Sequence, residues 1–346
     1  MSKQKRDLSV IVLILFVVSC LLSVGFGSSV RNEIADEETR FRLAAEYSKS
    51  HRGIAVLVMK GGKVVFEEYQ NGHQADTPWP LASGTKSFSG VMLAAAIEDK
   101  LVRSFDEKVS DTITEWKNDK QKAEITLRQL LSLTGGIDAG RIGSVPSYAE
   151  ALNYKMESAP GTKFEYGPVP FQIFGEVMRR KLAPKKESVM DYLKRRIFSP
   201  IGLEVAFWRN GTDGNPLLPQ GAFLTAREWA KFGEFMKSGG KWNGKQIIAK
   251  RLLDELLIGT KANPAYGITF WLNKEGINPA GRPNSMLLVS SKQDVNVKDL
   301  FMAAGAGNQR LYIIPSLDLV IVRQGNFGRF DDGEFLSRLI FGKASK

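Results

Sequence analysis

One cysteine and two histidines are all that 346 residues supply, and these shortages exclude much ordinary enzyme chemistry. Cys20 lies in an apolar leader, so the rest of the chain has no intramolecular disulfide, thiol nucleophile or cysteine-rich metal site. His51 and His73 read as surface or loop side chains. Two lone histidines disfavour a zinc hydrolase, and with no Gly-x-Ser-x-Gly elbow in the chain they also disfavour a Ser-His-Asp triad. No metal and no organic cofactor is implied. Acidic residues are short as well: 37 Asp and Glu against 48 Lys and Arg leave a net charge of +11. The basic excess gathers at Arg179-Arg180-Lys181, Lys185-Lys186 and Lys194-Arg195-Arg196. Without interleaved aromatics these runs read as solvated helix faces, not a nucleic-acid surface; an anionic envelope polymer or lipid head group is the fitting anionic partner.

Lys3, Lys5 and Arg6 precede an apolar stretch from Leu8 to about Phe26 that ends in Gly27-Ser28-Ser29, the pattern of an export signal over residues 1–27. This predicts a periplasmic or cell-surface protein. Val17-Val18-Ser19-Cys20 is similar to a bacterial lipobox, which would leave Cys20 lipidated at the mature N-terminus. The apolar run does not stop at Cys20, and its roughly twenty residues are near the length that spans a bilayer. Lipidation, an uncleaved membrane anchor and cleavage near Gly27 all stay open. Residues 28–346 are left as the folded part, and 43% hydrophobic with 25% charged residues is ordinary globular composition.

Residues 35–50 carry Phe41, Leu43, Ala44, Ala45 and Tyr47 among charges, an amphipathic helix. Ile54–Met59 and Val64–Phe66 flank Gly61-Gly62 and predict a hairpin. A polar loop with Pro78 and Pro80 follows, and then an apolar run, Val91–Ile97, that is hydrophobic all round and so predicts a core helix. From about residue 111 to 264 the pattern is mainly helical. Strand-like runs resume at Tyr266–Leu272, Met286–Val289, Leu300–Ala303, Leu311–Ile314 and Leu319–Val322, and Gly333–Phe341 closes with a helix. Strands at both ends around a helical middle predict one catalytic unit of two lobes: a sheet lobe, about 35–110 with 265–346, and a helical lobe, about 111–264.

Ser83-Gly84-Thr85-Lys86 places a hydroxyl and an amine one turn apart where the core helix begins. Ser-x-x-Lys also occurs at Ser2/Lys5 and Ser238/Lys241, but the first lies in the leader and the second in a turn. A serine hydroxyl needs a base to take its proton. Lys86 can serve only as the neutral amine, which at an unperturbed pKa near 10.4 costs about 4.6 kcal/mol at pH 7. Burial and a helix N-terminus both lower that cost. A neighbouring tyrosine could share the task, and the Ser83 N–H could serve an oxyanion hole with a second N–H from an adjacent strand. The alternative is that Ser83 caps a helix and Lys86 snorkels to solvent.

Five ordered blocks decide between these readings: residues 83–86; Ile125-Thr126-Leu127-Arg128-Gln129-Leu130-Leu131-Ser132-Leu133-Thr134-Gly135-Gly136; Pro160-Gly161-Thr162-Lys163-Phe164-Glu165-Tyr166; 223–233; and 309–319. Together they resemble the class C β-lactamase family, whose relatives include D-alanyl-D-alanine peptidases, EstB-type esterases and 6-aminohexanoate-dimer hydrolases. The resemblance covers nearly everything after residue 50. It implies a mixed α/β (α+β) fold of the β-lactamase and penicillin-binding-protein type, an antiparallel sheet flanked by helices plus a helical lobe. It implies Ser83 as acylated nucleophile, Lys86 as proton acceptor, and Tyr166 as a base for acylation and an acid toward the leaving group. Gly305 and Ala306 fall at the oxyanion strand, with Ala306 as the second N–H donor. The family's Tyr-x-Asn reads Tyr166-Gly167-Pro168, and its Lys/His-x-Gly reads Ala303-Ala304-Gly305. Both changes remove groups that would recognise a penicillin or a D-Ala-D-Ala terminus. The expectation is an exported serine hydrolase of small esters or amides, peptide-like ones included. A D,D-peptidase or β-lactamase proper is one alternative, and a catalytically silent envelope-binding module another.

Overall fold

The computed structural model describes residues 36–282 and 297–343. The leader with Cys20, and the expected strand Met286–Val289, lie outside the described residues.

Asp36 starts the fold by accepting the Thr39 N–H at 2.9 Å, capping helix α1 (Glu37–Ser50). Phe41, Ala44, Ala45 and Ser48 recur at helical spacing and form its buried stripe. The predicted hairpin follows as β1 (Gly53–Lys60) and β2 (Lys63–Tyr69), turned by Gly61 and Gly62, both at positive φ. β3 (Trp79–Pro80) occupies what sequence alone presented as a polar loop, and α2 (Ser87–Glu98) is the expected core helix. Residues Ser87–Ala96 are all buried, which is why no polar face is legible there.

The helical middle contains α3 (Leu127–Leu131), α4 (Tyr148–Ala151), α5 (Val169–Leu182), α6 (Val189–Leu193), α7 (Ala226–Lys237) and α8 (Lys250–Asp254). Thr126/Gln129 and Ser147/Glu150 form reciprocal capping boxes at α3 and α4. The middle is less purely helical than its pattern predicts. It holds β4 (Phe207–Trp208) and β5 (Ala222–Leu224), which join β3 in a small sheet of order β3-β5-β4, and a hairpin of β6 (Lys241–Trp242) and β7 (Lys245–Gln246). Strands of two or three residues are too short to carry an alternation.

The chain then returns to the main sheet through β8 (Trp271–Leu272), β9 (Phe301–Gly305), β10 (Gln309–Ile314) and β11 (Leu319–Gly325), and ends in α9 (Asp332–Phe341). Only the last two residues of the expected strand Tyr266–Leu272 are extended, because Tyr266 folds back to bridge Trp271. The order is β2-β1-β11-β10-β9-β8, antiparallel throughout, with β1 paired to β11 from Gly53↔Gly325 to Lys60↔Leu319. Successive residues Gly53–Met59 are buried, so β1 is covered on both faces, with α1 and α7 both packed against it. Gly233 lets α7 approach closely: a Cβ there would sit 2.5 Å from Val320 Cγ1 and 2.8 Å from Leu311 Cδ1.

Candidate active site

The small sheet feeds the chain into the Ser-x-x-Lys turn. Trp79 pairs with Leu224 and Pro80 with Phe223, and the Leu81 N–H donates to Ala222 O at 3.0 Å. Trp79 Nε1 donates to Gly325 O at 3.2 Å and Gln324 Nε2 to Leu224 O at 3.0 Å, tying this sheet to the end of β11. Ala82 then takes φ +47°, a conformation that non-glycine residues adopt only where neighbours enforce it. Residues Ala82–Lys86 form a 3₁₀ turn that runs directly into α2. Gly84 is required there, since a Cβ would sit 2.8 Å from the buried Trp229 ring.

Ser83 caps nothing with its side chain and is part-exposed, open to a substrate. Lys86 does not snorkel: it is 4% exposed, its Nζ lies 3.0 Å from Ser83 Oγ, and it donates to Pro219 O at 3.1 Å. Burial draws its pKa from 10.5 down to about 7. The rings of Tyr166 and Phe171 stand 5.0 and 5.2 Å from Nζ and offer the charged form some compensation. The other described Ser-x-x-Lys has none of this: Ser238 ends α7 and bonds Glu234, and Lys241 is exposed on β6.

Tyr166 reaches the same point from the loop before α5, held where the Glu165 N–H donates to Leu133 O at 2.9 Å. Burial pushes its pKa up to about 12, against a smaller lowering by the Ser83 side chain. Phe164, Tyr266 and Trp271 surround its ring, with centroids 6.4, 6.2 and 5.7 Å away. Gly167 fits because a Cβ would lie 2.0 Å from Ala139 O, and Pro168 leads into α5 with no side-chain amide to offer.

Gly305 ends β9 against the serine turn. A Cβ on it would be 2.0 Å from Leu81 O and 3.0 Å from Gly84 N, so this strand residue has to be glycine. Ala306 follows at an exposed turn position, while Ala303 and Ala304 are buried methyls. Among the described residues, no hydrogen bond engages the backbone N–H of Ser83 or of Ala306. The structure thus gathers Ser83, Lys86, Tyr166 and Gly305 from three separate segments, the first two from one turn. The sequence missed the Pro219 carbonyl and the Phe171 ring, since a backbone acceptor leaves no residue-type signal.

Five of the eight clustered basic residues are ion-paired: Arg179 and Arg180 with Glu176, Arg180 also with Glu115, Lys181 with Glu107, Arg195 with Glu187, and Arg196 with Glu98 and Asp99.

Solved structures share the fold at low identity. A family VIII carboxylesterase superposes with a TM-score of 0.66 at 18% identity, covering 88% of this chain and 96% of that one. A class C β-lactamase from Rhodobacter sphaeroides gives 0.64 at 18% identity over 86% and 98%. A penicillin-binding-protein homologue from Caulobacter crescentus gives 0.67 at 15% identity over 87% and 96%. The β-lactamase family profile matches residues 37–340. That span takes in every element from α1 nearly to the end of α9, and the chain therefore belongs to the β-lactamase-related serine hydrolase family.

Proposed function

We propose that this protein is an exported esterase that cleaves small neutral esters, and secondarily amides, through an acyl-enzyme on Ser83. The observation that carries the reading is a buried lysine, drawn down to about 7, whose Nζ lies 3.0 Å from the serine oxygen. With its N–H directed at Pro219 O, the neutral amine presents its lone pair to the Ser83 hydroxyl. Lys86 takes the Ser83 proton as Oγ attacks the ester carbonyl, and the carbonyl π pair moves onto oxygen. The N–H groups of Ser83 and Ala306 receive that oxyanion. Tyr166 is protonated at neutral pH, which suits it to protonate the leaving alkoxide and then recover the proton through Lys86. Water enters by the same route in reverse, cleaving the acyl-enzyme to acid and free Ser83.

Substrate preference follows from what surrounds the nucleophile. Pro168 offers no amide group to a substrate peptide bond, and the Ala303 methyl offers nothing to a carboxylate. A missing charged hydrogen bond of that kind weakens recognition by about 1.5–3 kcal/mol. This disfavours a D,D-peptidase or a lactamase proper. The internal pairing of five clustered cations leaves less free positive charge for an anionic polymer, and so disfavours the silent binding module. Export rests on the leader over residues 1–27, which would keep the enzyme at the membrane or release it beyond.

The test is intact-mass analysis of the domain after a fluorophosphonate probe, beside turnover of p-nitrophenyl esters. Labelling and turnover in the wild type, neither in Ser83→Ala, and loss of turnover in Lys86→Ala are expected. A folded wild type with no adduct and no turnover sinks the reading, while rapid turnover of a chromogenic cephalosporin with inert esters moves it to the lactamase.

A further inference from the structure

The turn between β9 and β10 is held from beneath by three buried side chains, carbonyl by carbonyl. Arg310 Nη1 donates to Gly305 O at 3.2 Å. Gln309 Nε2 lies 3.3 Å from Ala306 O and 3.0 Å from Gly307 O, and Arg323 Nη1 donates to Asn308 O at 2.8 Å. Arg310, Gln309 and Arg323 are 5%, 2% and 0% exposed. Four successive carbonyls of this turn are thus engaged on the protein side, while the N–H of its exposed residue, Ala306, is left free among the described residues.

Each holder is itself anchored. Arg310 grips Asp332 through Nε at 2.6 Å and Nη2 at 3.1 Å, and Tyr312 Oη donates to the same carboxylate at 2.5 Å. Gln309 closes a ring with Gly325, its Nε2 donating to Gly325 O at 2.6 Å and its Oε1 accepting from Gly325 N at 3.1 Å. Arg323 makes no direct ion pair among the described residues. It donates to Ser48 Oγ at 3.1 Å and His51 O at 2.8 Å, and lies 4.0 Å over the Phe330 ring.

Gly305 C=O and Ala306 N–H belong to one peptide unit. The unit is planar and trans, so its oxygen and its hydrogen point in opposite directions, and fixing the oxygen fixes the aim of the N–H. A cationic donor on the oxygen also draws electron density out of the amide and makes the N–H a stronger donor. We infer that Arg310, with Gln309 beside it, is a positioning residue that aims and polarises the Ala306 N–H as an oxyanion donor, a role that rests on the acyl-enzyme reading above. Neither side chain touches the substrate. Both act through a peptide whose other end meets the developing charge.

The readout is sulphur discrimination. A thionoester places a large, weakly accepting sulphur where the ester places oxygen, so an enzyme that relies on its oxyanion donors turns over the oxygen ester faster. In Arg310→Met the kcat for p-nitrophenyl acetate should fall about 10- to 100-fold, short of the loss from deleting a donor outright, with KM nearly unchanged. The ratio of oxygen-ester to thionoester kcat should shrink at least about fivefold, which a loss of stability alone does not produce. Should Arg310→Met not fold, Gln309→Leu is measured in its place, with the same shrinkage of the ratio expected. An unchanged ratio in a folded variant, with turnover still dependent on Ser83, overturns this inference alone. Wild-type turnover that survives Ser83→Ala overturns both it and the acyl-enzyme reading.

Discussion

At the scale of single residues, the proposed chemistry turns on one amine whose pKa burial draws down to about 7. Because only the free amine can take the Ser83 proton, kcat/KM for a neutral ester should rise with unit slope through about pH 7 and then level off. Tyr166, at about 12, adds no descending limb below pH 9. A pH series on p-nitrophenyl acetate tests this, and a flat profile from pH 5 to 9 contradicts it. The same burial weakens the fold. The folded pKa lies below the unfolded 10.5, so the unfolded chain binds more protons between about 7 and 10.5, and stability rises with pH across that window. Lys86→Met should therefore lose turnover yet gain about 1–3 kcal/mol of stability at pH 7, a gain that fades toward pH 10.5. Thermal melts at pH 7 and pH 10 read it directly.

At the scale of elements, the site depends on how near β9 comes to the serine turn. Gly305→Ala would drive a methyl into Leu81 O and toward Gly84 N, both backbone atoms that cannot rotate aside. The strand must retreat, at about 1–3 kcal/mol in stability, and the Ala306 N–H retreats with it. Loss of ester turnover together with a lowered Tm is the expected pair of results. A variant with full activity would mean that the strand does not set the hole. Legibility in the sequence follows element length. α1 and α7 were legible because their buried residues recur at helical spacing, and β1 and β2 because apolar runs flank Gly61-Gly62. β3, β4 and β5 were not, since two or three residues carry no period, and the sheet that aims Ser83 was therefore missed. Ser83, Lys86, Tyr166 and Gly305 were legible through side-chain identity and family resemblance. The Pro219 carbonyl and the Arg310 clamp are facts of packing that no motif records.

At the scale of the molecule, the described residues from 36 onward form one compact unit, joined where β1 pairs with β11 and α1 packs on α9. Removing residues 331–346 takes away the α9 face of Phe335, Leu336, Leu339 and Ile340, and the Asp332 carboxylate that anchors Arg310. Such a truncation should express as insoluble or protease-sensitive chain with no ester turnover; limited proteolysis against the full-length protein checks it. A soluble, active truncation would show that α9 is dispensable.

Pairing β1 with β11 also sets a timetable. Residues 53–60 pair with β2 on one edge and with residues 319–325 on the other, so β1 has no partner on that second edge until residues 319–325 have been synthesised. Contacts this distant in sequence form late and slowly. A ribosome making this protein therefore delivers a long polypeptide that has no finished sheet to lock into, and the chain stays threadable until its last strand emerges.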